Sequence, residues 1–175
     1  MSDALQSIFL GLIPLQIILV VALGLTISRR PRPDVSARDR VIAIFLIGIA
    51  AQSMHFLEEF ATEFYVRWPE LLGLSPWSAQ FFVIFNVTWI AIWALSAAGL
   101  RAEIRVALFP TWFFAIGMAV NFVAHPLLAL NAGGYFPGLW TCPLVGVIGI
   151  LMLNRLAGYT GAGHLEGIGG VRPRS

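Results

Sequence analysis

The chain has 175 residues, 58% of them apolar and only 11% charged, with a formal net charge of +2. Soluble domains carry roughly 25% charged residues, and a 19.1 kDa fold has too small an interior to hide so much apolar surface. The composition excludes a disordered chain, a nucleic-acid module and an ordinary cytosolic enzyme, and it makes lipid the solvent.

Five apolar segments follow in order, each near the ~20 residues that cross a bilayer as a helix. They run over Ser7–Ser28, Val41–Val66, Phe81–Leu100, Val106–Leu130 and Gly138–Leu156. The first is too long for the apolar stretch of a signal peptide and has only Asp3 before it, so it reads as a retained helix. Between the second and third, Trp68–Gln80 reads as a short interfacial helix capped at Ser75 or Ser78. Asn131–Pro137 reads as a tight turn in which Gly133 and Gly134 permit left-handed angles. Pro137 is expected at the first turn of the fifth helix, with Tyr135 turned over the polar interior as a lid or hydrogen-bond donor. The fold class is therefore all-α, a single five-helix membrane bundle over residues 1–157. The Gly-rich residues 158–175 read as a mobile cytoplasmic tail.

All basic residues are Arg, and ten of the eleven fall in the loop Arg29–Arg40, the link Arg101–Arg105 and the C-terminal part. The positive-inside rule then puts the N-terminus outside and the C-terminus in the cytoplasm. Trp68, Trp77 and Trp140 fall at the outer interface, where indoles prefer to sit. The single cysteine, Cys142, leaves no intrachain disulfide and no Cys-ligated zinc.

Ionisable groups inside a spanning helix each cost about 2.5–3.5 kcal/mol and mark functional sites by default. The second segment carries His55, Glu58, Glu59 and Glu63; the fourth carries Asn121 and His125; the third carries Asn86. At 100° per residue Gln52, His55, Glu59 and Glu63 share one stripe, and Glu58 points elsewhere. Counted at ~1.5 Å per residue, Glu59 sits roughly 10 Å and His55 roughly 16 Å below the outer end of the helix. The same count puts His125 roughly 8 Å and Asn121 roughly 14 Å deep. His55, Glu59 and His125 are thus expected in direct or water-bridged contact, with Asn121 beside them. Glu58 joins them only if the third and fourth helices both flank the second; otherwise it pairs with a separate helix.

Three motifs carry a resemblance. His55-Phe56-Leu57-Glu58-Glu59 reads H-x-x-E-E, Asn121 to His125 reads N-x-x-x-H, and Tyr135-Phe136-Pro137-Gly138 reads Y-x-P-G. In this order the chain resembles the HXXEE-domain family of small bacterial multi-span proteins, over roughly residues 42–156. The resemblance implies a place in the bacterial cytoplasmic membrane. It points to His55, Glu58, Glu59, Asn121, His125 and Tyr135 as site residues and implies no particular chemistry.

The residues themselves leave four chemistries open. His55, Glu59 and His125 suit one Zn²⁺ or Fe²⁺ with an open position, with Asn121 or Tyr135 in support. Three Glu on one helix do not suit a di-iron centre. Without a metal, a His–Glu pair suits acid–base catalysis, with Trp89 and Trp93 offering cation–π faces. His55 and His125 could also ligate a haem, or the set could relay protons in transport. The reading carried forward is an enzyme, metal-dependent or acid–base, acting on a lipid-soluble molecule, with the lipid bilayer as partner and no nucleic acid. The arginine asymmetry makes one prediction: a fluorescent protein fused to the C-terminus gives signal in cells, and an alkaline phosphatase fused there stays inactive. An active phosphatase inverts the topology.

Overall fold

The structure is a computed structural model and describes residues 3–162. The helices are α1 (Asp3–Gly11), α2 (Ile13–Ser28), α3 (Val35–Ala61), α4 (Phe64–Leu71), α5 (Ala79–Arg101), α6 (Leu108–Asn131) and α7 (Cys142–Tyr159). Two short strands, β1 (Arg29–Pro31) and β2 (Thr160–Ala162), pair antiparallel with Arg30 opposite Gly161. α3, α5, α7 and α6 with its leading 3₁₀ turn are long and apolar enough to cross a bilayer, and the bent pair α1–α2 makes a fifth span if taken as one.

α3 packs on α5 and α7, and α6 packs on α7 and α2. Large apolar side chains cover the outside, such as Leu57, Leu95 and Leu130. That exposure suits a lipid solvent, where apolar surface carries no penalty. The interior is an apolar cluster around Phe45, Phe114, Met118, Val145, Met152 and Leu156. Small residues let α6 and α7 close on each other: a Cβ on Gly149 would lie 2.5 Å from the Ala119 backbone nitrogen, and one on Gly146 would lie 2.3 Å from Phe122 Cβ. Close backbone approach at small residues is how helices associate where the hydrophobic effect gives no help.

The arginine-bearing connections gather at one end of the bundle. Arg38 pairs with Glu103 at 2.6 Å. Arg105 donates to the carbonyls of Thr26 and Ile27, both at 3.0 Å, and so satisfies the last turn of α2. The β1–β2 pair ties the ends of α2 and α7 together at the same end. Thr160–Ala162 is therefore built into the bundle rather than belonging to a tail, because its backbone completes a ladder with Arg29–Pro31. The rest of the expected tail, residues 163–175, lies outside the described residues.

The opposite end differs from the sequence expectation in three places. The first apolar segment is not one straight helix. It bends by 47° at Leu12, two residues before Pro14, which has no N–H for the Leu10 carbonyl. α1 then docks sideways: Ser7 Oγ donates to the Ser75 carbonyl at 2.5 Å, and Trp68 Nε1 donates to the Gly11 carbonyl at 3.0 Å. Gly11 sits against the Trp77 ring. Trp77 is accordingly buried, at 8% exposure.

The second segment also ends early. α3 stops at Ala61, and Glu63 takes a left-handed conformation at φ 61° and ψ 42°. Such a residue without glycine's freedom costs on the order of 1–2 kcal/mol, which the turn partly offsets by hydrogen bonding. Thr62 Oγ1 donates to the Glu58 carbonyl at 2.7 Å, and Glu63 N–H donates to the Phe60 carbonyl at 3.2 Å. The short helix expected over Trp68–Gln80 lies instead at Phe64–Leu71, and Ser78 caps the following helix, accepting from Phe81 N–H at 3.1 Å.

Third, the last helix begins at Cys142, four residues later than expected, and the proline in its first turn is Pro143. Pro137 lies in the preceding turn, where its carbonyl has another use.

Candidate metal-ligand site

The break after α3 changes the depth of the polar residues. Glu59 lies only about 3 Å, and His55 about 9 Å, from the end of the helix. They are buried nonetheless, His55 fully and Glu59 at 6% exposure, because α4 and the turn over residues 132–141 fold across them. Phe64, the first residue of α4, packs on the His125 ring at 6.0 Å and on Phe136 at 5.9 Å.

His55, Glu59 and His125 come together. The two imidazoles meet edge to face with centroids 4.8 Å apart. Each Nε2 lies 3.5 Å from the same carboxylate oxygen, Glu59 Oε1. The ligand atoms of the three residues all fall within 4.8 Å of one another, and the group can hold a metal ion. For bonds of 2.0–2.1 Å the edge of a tetrahedron is about 3.3 Å, so the two 3.5 Å separations are close to that geometry.

The hydrogen-bond partners settle the tautomers. His125 Nδ1 is 2.7 Å from the Pro137 carbonyl, which can only accept, so Nδ1 carries the proton. His55 Nδ1 is 2.6 Å from Thr141 Oγ1. The Thr141 hydroxyl gives its one proton to Glu58 Oε2 at 2.5 Å, so it accepts from His55 Nδ1–H. Both rings therefore turn an unprotonated Nε2 toward Glu59, the state a metal ligand requires. Asn121 lies beside them, its Nδ2 donating to His55 Nε2 at 3.3 Å.

Glu58 stands apart from these three. α3 is flanked by α5 and α7 rather than by α5 and α6, and Glu58 pairs with the start of α7. Its Oε1 accepts from Tyr135 O–H at 2.7 Å and from Trp140 N–H at 3.0 Å. Its Oε2 accepts from Thr141 N–H at 2.8 Å as well as from the Thr141 hydroxyl. The carboxylate thus caps α7 from another helix, at the end where negative charge is favoured. Its reach to the histidines runs through Thr141, a residue the motifs did not include. The sequence signal for it was weak: a threonine just before Cys142-Pro143, where a helix cap is common.

Tyr135 points inward, onto Glu58. Burial pushes its hydroxyl above the usual tyrosine range, and the neighbouring carboxylate adds to this. Gly138 explains the last position of Y-x-P-G. Its φ is +85°, and a Cβ there would lie 2.4 Å from His125 Cε1 and 2.9 Å from His55 Cε1. Only glycine lets the turn press on both rings.

The remaining polar residues fall elsewhere. Glu63 is exposed and has left the stripe, because the helix that would have carried it ends before it. Asn86 is buried and donates to the Phe82 carbonyl at 3.0 Å. Trp89 and Trp93 stack on each other at 5.7 Å within the aromatic core. No slot for a haem separates the two imidazoles, which already meet edge to face.

A cavity of about 390 Å³ reaches this site. Glu59, His125 and Asn121 stand on its wall, and Phe56, Phe85 and Trp89 are among its aromatic lining. Its size and its few polar groups are those of a small-molecule site. Comparison of the chain with family models, with curated proteins and with solved structures finds no match.

Two outcomes follow from this geometry. Gly138→Ala strains the turn and drives a methyl into both imidazoles, and costs about 3 kcal/mol of stability, read as a lowered melting temperature in detergent. Tyr135 must be protonated to donate to Glu58. Its raised pKa makes this contribution complete below the ordinary tyrosine value of about 10 and removes it as pH climbs through the higher folded value. Melting curves between pH 8 and 12 should therefore show a loss in the wild type that Tyr135→Phe lacks.

Proposed function

We propose that the protein is a small membrane enzyme that uses a divalent ion, Zn²⁺ or Fe²⁺, held by His55, Glu59 and His125, on a lipid-soluble substrate in the adjoining cavity. The observation that carries this reading is the convergence of three acceptors. Two unprotonated imidazole nitrogens face one carboxylate oxygen, each at 3.5 Å. A single cation held between them would answer Glu59 Oε1 and both imidazoles together.

The supporting residues have the form expected of a metal site. A ligating His commonly donates its second nitrogen to a carboxylate, a carbonyl or a bridging group, which fixes ring and tautomer. Here the Pro137 carbonyl serves His125, and the Thr141–Glu58 pair serves His55. Two imidazoles and a carboxylate leave a coordination position open. Glu59 and His125 line the cavity, so that position faces the space where a substrate would lie. A bound ion supplies Lewis-acid polarisation of a substrate oxygen. The chain's residues hold the ion, exclude bulk water with Phe64 and Phe136, and present an aromatic wall to the apolar part of the substrate.

A second reading is acid–base catalysis without a metal. Asn121 Nδ2 already donates to His55 Nε2 at 3.3 Å, and one proton shared between Glu59 and His125 would satisfy the remaining pair. In that case the Glu59–His125 pair is the proton carrier.

The three HXXEE-family motifs gather at this one place, which supports membership of that family and a shared site. His55 and Glu59 are ligands, and Glu58 supports His55 through Thr141. Asn121 touches one His, and His125 is the other. Tyr135 and Gly138 hold the turn.

Elemental analysis of the protein purified in detergent separates the readings. About one Zn or Fe per chain is expected, falling at least tenfold in His125→Ala and in Glu59→Ala. Thr141→Val keeps the volume but removes the bridge, and should weaken metal affinity by 10–100-fold. A clean apoprotein that also ignores added Zn²⁺ and Fe²⁺ ends the metal reading and leaves the acid–base one.

A further inference from the structure

The far end of the cavity contains a second polar pair. Gln52 lies two turns before Glu59 on α3, about 10 Å away along the axis. It lines the cavity and is buried at 4% exposure, with Oε1 lacking any hydrogen-bond partner. Trp93 of α5 also lines the cavity, at 5% exposure, and its Nε1–H is likewise unpartnered. The two stand at one level. Trp93 stacks on Phe56 at 6.2 Å, one turn above Gln52, and packs on Phe114 at 4.6 Å. Phe114 in turn presses on Gly48, one turn below Gln52.

Buried polar groups are nearly always hydrogen-bonded, and each exception calls for a reason. Here an unmatched acceptor and an unmatched donor line one mainly apolar pocket at the same level. A hydroxyl matches both, since it donates to a carbonyl oxygen and accepts from an indole N–H. We propose that Gln52 and Trp93 bind a hydroxyl group at the deep end of the cavity. The substrate class is then an apolar molecule with a hydroxyl at one end and its reacting oxygen function about 10 Å away, at His55, Glu59 and His125. This rests on reading the cavity as a substrate site, and the pair is a specificity determinant within it. A buried water offers the same donor and acceptor, so the test distinguishes the two sources.

The test uses full-length protein in phosphatidylcholine nanodiscs, with ¹⁵N-labelled tryptophan, titrated with 1-decanol and with n-decane. The Trp93 indole N–H resonance is assigned by its loss in Trp93→Phe. 1-Decanol should shift that resonance and bind about tenfold more tightly than n-decane, the difference one neutral hydrogen-bonded group makes. Gln52→Leu should remove both the shift and the tenfold preference, and Trp93→Phe should remove the preference. Equal binding of the two probes with an unmoved indole resonance overturns the proposal. So does an indole resonance already hydrogen-bonded without probe and unchanged by 1-decanol, which would assign the pair to a resident water. The titration is repeated in Glu59→Gln. A decanol response that survives there while metal is absent supports the hydroxyl pair and leaves the failure with the metal site. A wild-type protein that holds its metal but does not distinguish the probes places the failure here.

Discussion

The carboxylate of Glu58 takes four hydrogen bonds from one short stretch of chain, Tyr135 to Thr141, and the site depends on that anchor. Without it the turn before α7 would have four backbone and hydroxyl donors facing an apolar medium, each at a cost of roughly 1–3 kcal/mol. With it, Thr141 is held where its hydroxyl oxygen can accept from His55, and Pro137 where its carbonyl can accept from His125. Two imidazoles on two helices are thereby given the same tautomer by one loop. Glu58 acts on the histidines without touching either ring.

The same turn has to come very close to do this. Gly138 brings bare backbone against both rings, and Phe136 behind it is buried at 1% exposure. From the other side the left-handed residue Glu63 swings Phe64 over His125. Two covers from different parts of the chain thus close over a site that sits near a helix end rather than deep in the span. This is a physical solution to placing Glu59 where water is near but excluded. Helix α3 ends, and the chain folds back over it as protein. Irregular backbone at such depth is tolerated because it is buried in protein and not in lipid. The strain at Glu63 is the local cost of that fold-back.

Much of the candidate site was legible in the residues. The pairing of His55 with Glu59 follows from four-residue spacing on a helix, and their meeting with His125 from the cost of leaving such groups unpaired in lipid. The helical angle set Glu58 off the stripe, but only the packing of α3 against α5 and α7 decided that it stands apart. The rest was hidden for specific reasons. The end of α3 has no glycine or proline to mark it; it is made by Thr62 and Glu63, residues with no strong preference for stopping a helix. Pro137 and Pro143 lie six residues apart, and either sequence position suits a helix start. The role of Thr141 needed the depth of α7 relative to α3, which no local pattern encodes.

The sequence by itself determined the solvent, the all-α class, the approximate spans and the gathering of the arginines at alternate connections. These depend on composition and on the periodicity of a helix, which are properties of short stretches of chain. Only the tertiary structure decided which nitrogen of each histidine is free, which oxygen they share, and where a cavity meets them. It alone revealed that Gln52 and Trp93 lie level with each other without partners. Those facts turn on distances between helices of about one ångström. Such distances are set by how Gly146, Gly149 and Gly138 let neighbouring chain approach, through contacts between residues far apart in sequence.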